Sequence, residues 1–447
     1  MTILTEEQAK SILDKVIALS EADEITAVLS GSESGNIRFA LNNISTSGHI
    51  SDMELGVTSS FGTRSGTTTI NQFDDASLER VVRRSEELAR LAPENPEFMP
   101  ALGKQDYPST PAHHESIAAI TPEFRAQVAA DSIGPCKAED LVAAGFLENQ
   151  ESFQAIASSK GNFGYGRSTA FDYTCTVRTE DGMGSGWVGS NVGRVSDFSA
   201  ARSIRTGITK AKGSVDARAL EPGKYTVILE PVAAAGLVNF MMFGFDARQA
   251  DEGRSFLSKA GGGNRIGEQL FDERVNIYSD PAHADVPVLA WDGEGLPRDR
   301  LVFVEDGKVR TMRYSRYWAQ QQGVEPTAMP GNLIVTGGDK STAELVASTQ
   351  RGILVSRTWY IRMVDPQTML LTGLTRDGTF YIENGEIRYP VKNFRFNESP
   401  VIMLNNVEEF GRPVRVSAGS GGAGGGITMM PPMKLRDFTF TSLSDAV

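Results

Sequence analysis

Long runs in which polar and apolar residues alternate, punctuated by glycine and proline, constrain this chain more than any other feature. Gly145 to Ser158, Gly164 to Arg178 and Gly184 to Asn191 carry that period of two. Such a period puts alternate side chains on opposite faces of a strand, so the apolar set needs a covering layer. Shorter stretches at Glu24 to Leu29, Asn36 to Asn42, Glu54 to Phe61 and Gly66 to Ile70 read the same way, the last two as a hairpin turning near Gly62 and Arg64. Helical signals lie among them. Thr5 and Gln8 form a capping box ahead of the stripe Ile12, Leu13, Val16 and Ile17. Asp75 to Leu91 turns Leu78, Val81, Val82 and Leu88 inward and stops before Pro93, Thr121-Pro122-Glu123 opens a further helix, and Asp197 to Ala211 supplies another.

Past Pro222 and Gly223 the pattern changes. Tyr225 to Leu229 reads as a buried strand and Val232 to Phe245 as an apolar helix. Asp306-Gly307, Asp377-Gly378 and Asn384-Gly385 each fall between short strand-like runs, the signal for a type I′ hairpin, and the last two predict a meander from about Met369 to Val391. Ser417 to Gly426 is glycine-dominated and reads as a flexible loop or close backbone packing. The expectation is an α+β chain with an N-terminal antiparallel sheet and helices and a C-terminal β-rich domain. Pro96, Pro100, Pro108 and Pro111 mark a linker, so the expected divisions are an α/β region over 1–110, a middle α+β region over 111–221 and a C-terminal β-rich domain over 222–447. A length of 447 residues agrees with several cores rather than one.

Composition excludes several classes of function. Lys and Arg number 44 against 56 Asp and Glu, a formal charge of −12, and no basic run tracks a phosphate backbone; nucleic acid is not an expected ligand. No stretch approaches the ~20 apolar residues of a membrane span, and Met1 to Ser20 lacks a basic n-region with an apolar core, so a cytoplasmic location is expected. The two cysteines, Cys136 and Cys175, are too isolated for a disulfide framework or a structural zinc site and read as reduced packing thiols.

Catalytic motifs are missing in turn. A metal hydrolase announces itself as HExxH or HExxxH, since one helical turn aligns two imidazoles while the glutamate activates metal-bound water; the only His-Glu pair, His114-Glu115, is followed by Ala118 and Ala119. His113 and His114 lie in the Pro-rich connector, and His49 and His283 stand alone. Neither GxSxG nor GxxxxGK[ST] occurs, Gly337-Gly338-Asp339-Lys340-Ser341 failing the latter because aspartate separates glycine from lysine. Catalysis by this chain alone has no support in its sequence.

Six segments stand out: Ser34-Gly35-Asn36-Ile37-Arg38-Phe39-Ala40, Asp74-Asp75-Ala76-Ser77-Leu78, Leu91-Ala92-Pro93-Glu94-Asn95-Pro96 and, most specifically, Arg357-Thr358-Trp359-Tyr360-Ile361-Arg362, Thr372-Gly373-Leu374-Thr375-Arg376-Asp377-Gly378 and Val391-Lys392-Asn393-Phe394-Arg395-Phe396-Asn397. Together they resemble the TldD/PmbA metallopeptidase family over nearly the whole chain. In the TldD type an HExxxH helix and a cysteine near the C-terminus hold zinc. The resemblance sets Asn239, Phe240 and Gly244 against His, Glu and His of that motif, and the glycine-rich segment before Ile427 has no cysteine. An amide, a phenyl ring and a hydrogen cannot bind zinc or activate water. The pattern is similar to the TldE (PmbA) type, which implies no metal in this chain, zinc in a TldD-like partner of a heterodimer, and an extended peptide or amide substrate: a precursor peptide, an unfolded protein or an intermediate of antibiotic biosynthesis.

Candidate cavity or interface residues are Asn239, Arg357, Tyr360, Arg362, Arg376, Asn393, Arg395 and Asn397. Asn239 has two readings, a hydrogen bond to substrate or a satisfied structural amide. The arginines have two as well, a grip on a substrate carboxylate or partner, or structural ion pairs at strand ends. Trp359 and Tyr360 read as core or interface. Asn393, Arg395 and Asn397 alternate and are expected on one face of a strand. Two rival functions remain: a protein-binding modulator of the DNA gyrase-modulator kind, without proteolysis, and a stand-alone hydrolase using Cys136 or Cys175.

Overall fold

A computed structural model describes residues 3–417 and 426–444. Most of the glycine-rich segment Ser417 to Gly426 therefore lies outside the described residues.

The N-terminal half is one six-stranded antiparallel sheet in the order β3-β2-β1-β4-β5-β6. Its strands are β1 (Glu24–Ala40), β2 (Asn43–Phe61), β3 (Arg64–Ile70), β4 (Leu141–Ser158), β5 (Phe163–Thr179) and β6 (Ser185–Asn191). The pieces expected at Glu24 to Leu29 and Asn36 to Asn42 are a single strand, and β2 begins eleven residues before the expected Glu54. The polar stretch Ser30 to Gly35 conceals this continuity, because its extended backbone is held from both sides by β2 and β4 rather than by its own side chains. Leu41 and Asn42, both at positive φ, make the turn. Because β1 pairs with β4, the sheet runs across residue 110.

Helices cover this sheet where predicted. α1 (Glu6–Leu19) starts with the complete Thr5–Gln8 capping box, and α2 (Asp75–Leu91) is capped by Asp74. A single turn, α3 (Glu115–Ala118), precedes α4 (Pro122–Lys137), with Thr121 as cap and proline at its start. α5 (Ala200–Gly213) begins three residues later than expected because Ser199 supplies the cap and residues 195–197 form a separate 3-10 turn.

The C-terminal half holds two further sheets. A nine-stranded sheet runs in the order β13-β14-β17-β21-β7-β12-β15-β16, with β18 also on β21. These are β7 (Gly223–Leu229), β12 (Arg351–Val355), β13 (Thr358–Asp365), β14 (Leu370–Thr375), β15 (Thr379–Glu383), β16 (Glu386–Pro390), β17 (Phe394–Glu398), β18 (Val407–Phe410) and β21 (Met433–Leu443). A six-stranded sheet, order β10-β9-β8-β11-β20-β19, comprises β8 (Ile277–Ser279), β9 (Leu301–Glu305), β10 (Lys308–Val309), β11 (Asn332–Val335), β19 (Val414–Ser417) and β20 (Ile427–Met430). Between them, α6 (Pro231–Met242) lies in the largest apolar cluster, with Ala233 to Val238 all buried.

Two of the three predicted hairpins form. Asp306-Gly307 joins β9 to β10, and Asn384-Gly385 joins β15 to β16, all four residues at positive φ. The third does not. Asp377 and Gly378 also have positive φ, but β14 and β15 on either side of them pair with other strands, so the expected meander is broken there. The Asp377 carboxylate is instead drawn into a buried ion pair, described below, and the chain crosses the sheet.

Candidate functional site

The helix that carries Asn239 and Phe240 is positioned by burial. β7 delivers the chain through Glu230 into Pro231, and α6 is apolar on every side, as a helix between two sheets must be. At its far end the Asn239 amide donates to the Ala235 carbonyl at 2.8 Å. Phe240 packs against the core and lies edge-on to Phe243, ring centroids 5.9 Å apart. Gly244 follows the helix end; a Cβ there would meet the Phe256 ring at 2.6 Å, and its carbonyl accepts Ser255 Oγ at 2.7 Å. The three positions thus offer an internally bonded amide, a packed ring and a backbone contact. Among the described residues, no group of three or more His, Cys, Asp or Glu could hold a metal ion.

Asn239 nevertheless borders open space. It lines a cavity of about 390 Å³ with Met242, Phe243, Asp246, Arg313 and Met329. Asp246 and Arg313 form an ion pair there, while Phe243 and Met329 are each at least half exposed. Beside that ion pair, the thioethers and rings of the lining suit an extended apolar chain.

Arg357 and Arg376 come together in a pin between the two halves of the protein. The Arg357 guanidinium lies 4.6 Å from the Trp187 ring centroid and 4.4 Å from that of Trp359, and it pairs with Asp377 at 3.1 Å. Asp377 also accepts Ser185 Oγ at 2.7 Å, tying β6 to the C-terminal half. Arg376 lies 3.7 Å from the same carboxylate and 5.3 Å from the Trp359 ring. Burial pushes the pKa of Arg357 down, against the raising effect of Asp377. Asn393 accepts from Thr375 and Thr379 and lines a cavity of about 470 Å³ with Asp377 and Lys392.

The remaining candidates lie apart. Tyr360, 58 % exposed and at positive φ within an irregular stretch of β13, is covered by the Arg362 guanidinium at 4.2 Å. Arg395 and Asn397 occupy the exposed side of β17, alternating with buried Phe394, Phe396 and Glu398; Asn393 precedes that strand. Cys136 and Cys175 are buried, and burial pushes their thiols up to about 11 and about 12. Both are therefore protonated at neutral pH and poor nucleophiles.

Motif reading missed a larger cavity of about 660 Å³ between the two halves, bordered by segments 111–114, 187–210, 230–232, 284–287 and 414–416, with Met429. His113 there bonds Glu151 at 3.0 Å, His114 Nδ1 accepts from the Ser116 backbone, and Lys210 pairs with Glu230 at 2.7 Å just ahead of α6. No local spacing reveals a site assembled from five distant segments.

Two stretches that together make up more than half of the sequence match the PmbA/TldD metallopeptidase family, to which this chain belongs. Residues 27–89 match PmbA/TldA metallopeptidase domain 1 and residues 222–442 match the PmbA/TldA metallopeptidase C-terminal domain. A metalloprotease of Methanothermobacter thermautotrophicus is 25% identical over 223 residues; the match spans 45% of this chain and 46%, about half, of that relative. The metalloprotease PmbA of Escherichia coli O157:H7 is 22% identical over 403 residues, 86% of each chain. In three dimensions the chain is similar to TldE from Thermococcus kodakarensis, with a TM-score of 0.86, 15% identity and coverage of 97% of this chain and 99% of that one. A Thermotoga maritima protein described as a candidate modulator of DNA gyrase gives 0.84, at 16% identity and coverage of 97% and 100%. At such identities these structures speak for the fold.

Proposed function

We propose that this chain is the non-metal-binding, TldE-like subunit of a two-subunit cytoplasmic zinc peptidase, acting on extended peptides or amides. The supporting observation is the state of α6. The positions that the family resemblance aligns with HExxxH hold an amide bonded to its own helix, a core-packed phenyl ring and a glycine pressed against Phe256. None can ligate zinc or move a proton. In this reading a TldD-like partner supplies the metal, which polarises the scissile carbonyl and generates hydroxide. The present chain walls the chamber with Asn239, Met242, Phe243 and Met329, admitting extended apolar segments.

The test is peptide hydrolysis with metal analysis, on the purified chain and on the chain co-expressed with a TldD-like subunit from the same genome. A zinc-free, inert chain and a complex that cleaves an unstructured peptide and loses activity with chelator are expected. Stoichiometric zinc and cleavage by the chain alone would refute the proposal. Specific capture of gyrase, with no cleavage by any assembly, would favour the modulator reading instead.

A further inference from the structure

The cavity between the two halves contains a guanidinium whose environment is built and whose charge is unmatched at close range. Arg415, on β19, donates from Nε to Asn191 Oδ1 and from Nη1 to the Asp285 carbonyl at 2.7 Å. Asn191 is 6% exposed, and its own amide nitrogen donates to Asp172 at 2.9 Å, so the side chain that orients Arg415 is itself held. Gly193 leaves room for the fork; a Cβ there would lie 2.8 Å from Nη1. Among the described residues, the guanidinium makes no other hydrogen bond and no ion pair within 4.0 Å. The carboxylates of Asp172, Asp197 and Asp285 act on it only through space, and burial lowers its pKa.

The surroundings strengthen the case. Arg194, Arg202, Lys210 and Arg415 line the cavity against Asp197, Glu230 and Asp285, in a chain of net charge −12. Lys210 is already spent on Glu230. A half-buried arginine satisfied by an amide oxygen and a backbone carbonyl retains its full charge. A fork with free N–H groups then suits a planar or tetrahedral oxyanion better than water.

We propose that this cavity is a binding site for an oxyanion-bearing ligand, a carboxylate or a phosphate, held by the Arg415 fork. Its described lining comes from this chain's own residues and does not include the α6 positions Asn239 and Phe240, so the proposal stands apart from the peptidase reading. Two sources share the chemistry: the C-terminal carboxylate of a short peptide, and a free phosphate.

The experiment titrates trialanine free acid, trialanine amide and inorganic phosphate into the full wild-type chain by calorimetry, and maps bound-state protection by amide hydrogen exchange. Binding of the acid, at least about tenfold tighter than the amide, identifies a carboxylate site; binding of phosphate alone identifies a phosphate site. In either case protection is expected in 189–193 and 414–416, and Arg415→Gln should weaken binding by about tenfold or more, with Arg415→Lys intermediate. The wild-type exchange map keeps the test decisive if either variant misfolds. Failure of both anions to bind at about 10 mM, equal affinity for acid and amide without phosphate binding, protection elsewhere, or unchanged affinity in folded Arg415→Gln would overturn the proposal.

Discussion

In the sheet of residues 24–191, each strand except β4 lies beside the strand that precedes it in sequence, whereas in the nine-stranded sheet most neighbours come from distant segments. β4 and β5 pair over their whole shared length without a register shift; in the C-terminal sheet β13, β15, β17 and β21 all take part in ladders with irregularities. The first sheet is organised by turns between adjacent segments. The second must close long loops before its contacts form, so its order is set by burial and by a few buried polar pairs.

The sharpest break in that comparison is at Asp377, the position where a local turn signal yields to a tertiary contact. Asp377→Ala leaves the Arg357 guanidinium buried between Trp187 and Trp359 and should destabilise the protein by about 3–5 kcal/mol, read as a lower urea midpoint. A loss below about 1 kcal/mol would make the pin a passenger. Glycine turns make the next test. Gly385→Ala, at φ +78° with the Ala347 carbonyl 2.5 Å from the new Cβ, should cost about 2–4 kcal/mol, since strain and overlap add. Gly62→Ala in the N-terminal sheet, at φ +56° with open space around it, should cost about 1 kcal/mol. Equal losses would mean that packing around the C-terminal turn adjusts freely.

Two buried carboxylates, one in each half, sharpen the contrast with opposite signs. Burial pushes Glu86 up, but the Glu21 backbone N–H at 2.6 Å and the Arg83 guanidinium at 2.8 Å outweigh it, and its pKa falls below the ordinary 4.5. Burial prevails at Glu398 and raises its pKa, although its carboxylate accepts the Ser399 and Thr439 N–H groups. Glu86 therefore adds stability that is present above pH 4.5 and lost as the pH drops through its lowered value. Glu398 behaves in reverse: the folded state holds its proton more tightly, so stability falls as the pH rises from 4.5 through its raised value. Urea midpoints against pH for Glu86→Gln and Glu398→Gln, each subtracted from wild type, should slope in opposite directions; the same slope for both would discard the assignment. The smallest effect concerns thiols. At pH 8 neither Cys136 nor Cys175 of the native chain should react with iodoacetamide, and both should react in urea; rapid native labelling of either would show a thiolate that the buried packing does not allow.

Legibility follows the same division. The Thr5 capping box, the helix from Asp75 to Leu91 and the alternating strands β4 and β5 are local signals with local causes, and they lie close to where the sequence places them. Asn384-Gly385 turns a hairpin as read, while Asp377-Gly378, with equally suitable residues, does not, because Arg357 and Ser185 compete for the carboxylate. Asn239 and Phe240 were legible as positions on one helix, whereas Gly244, expected on the same helix to Phe245, follows its end at Met242. The Arg415 cavity was not, since its two principal hydrogen-bond partners, Asn191 and Asp285, come from other parts of the chain.

One element of the C-terminal sheet bears on how the protein is made. β21, residues Met433–Leu443, lies between β7 and β17 and takes β18 as well. A ribosome delivers residues in order, so β7 and β17 both emerge before the strand that separates them. Until β21 arrives, each presents a bare backbone edge, of the kind on which chaperones act and nascent chains misassociate. The domain is thus sealed from its middle by a segment translated after both of the strands that it joins.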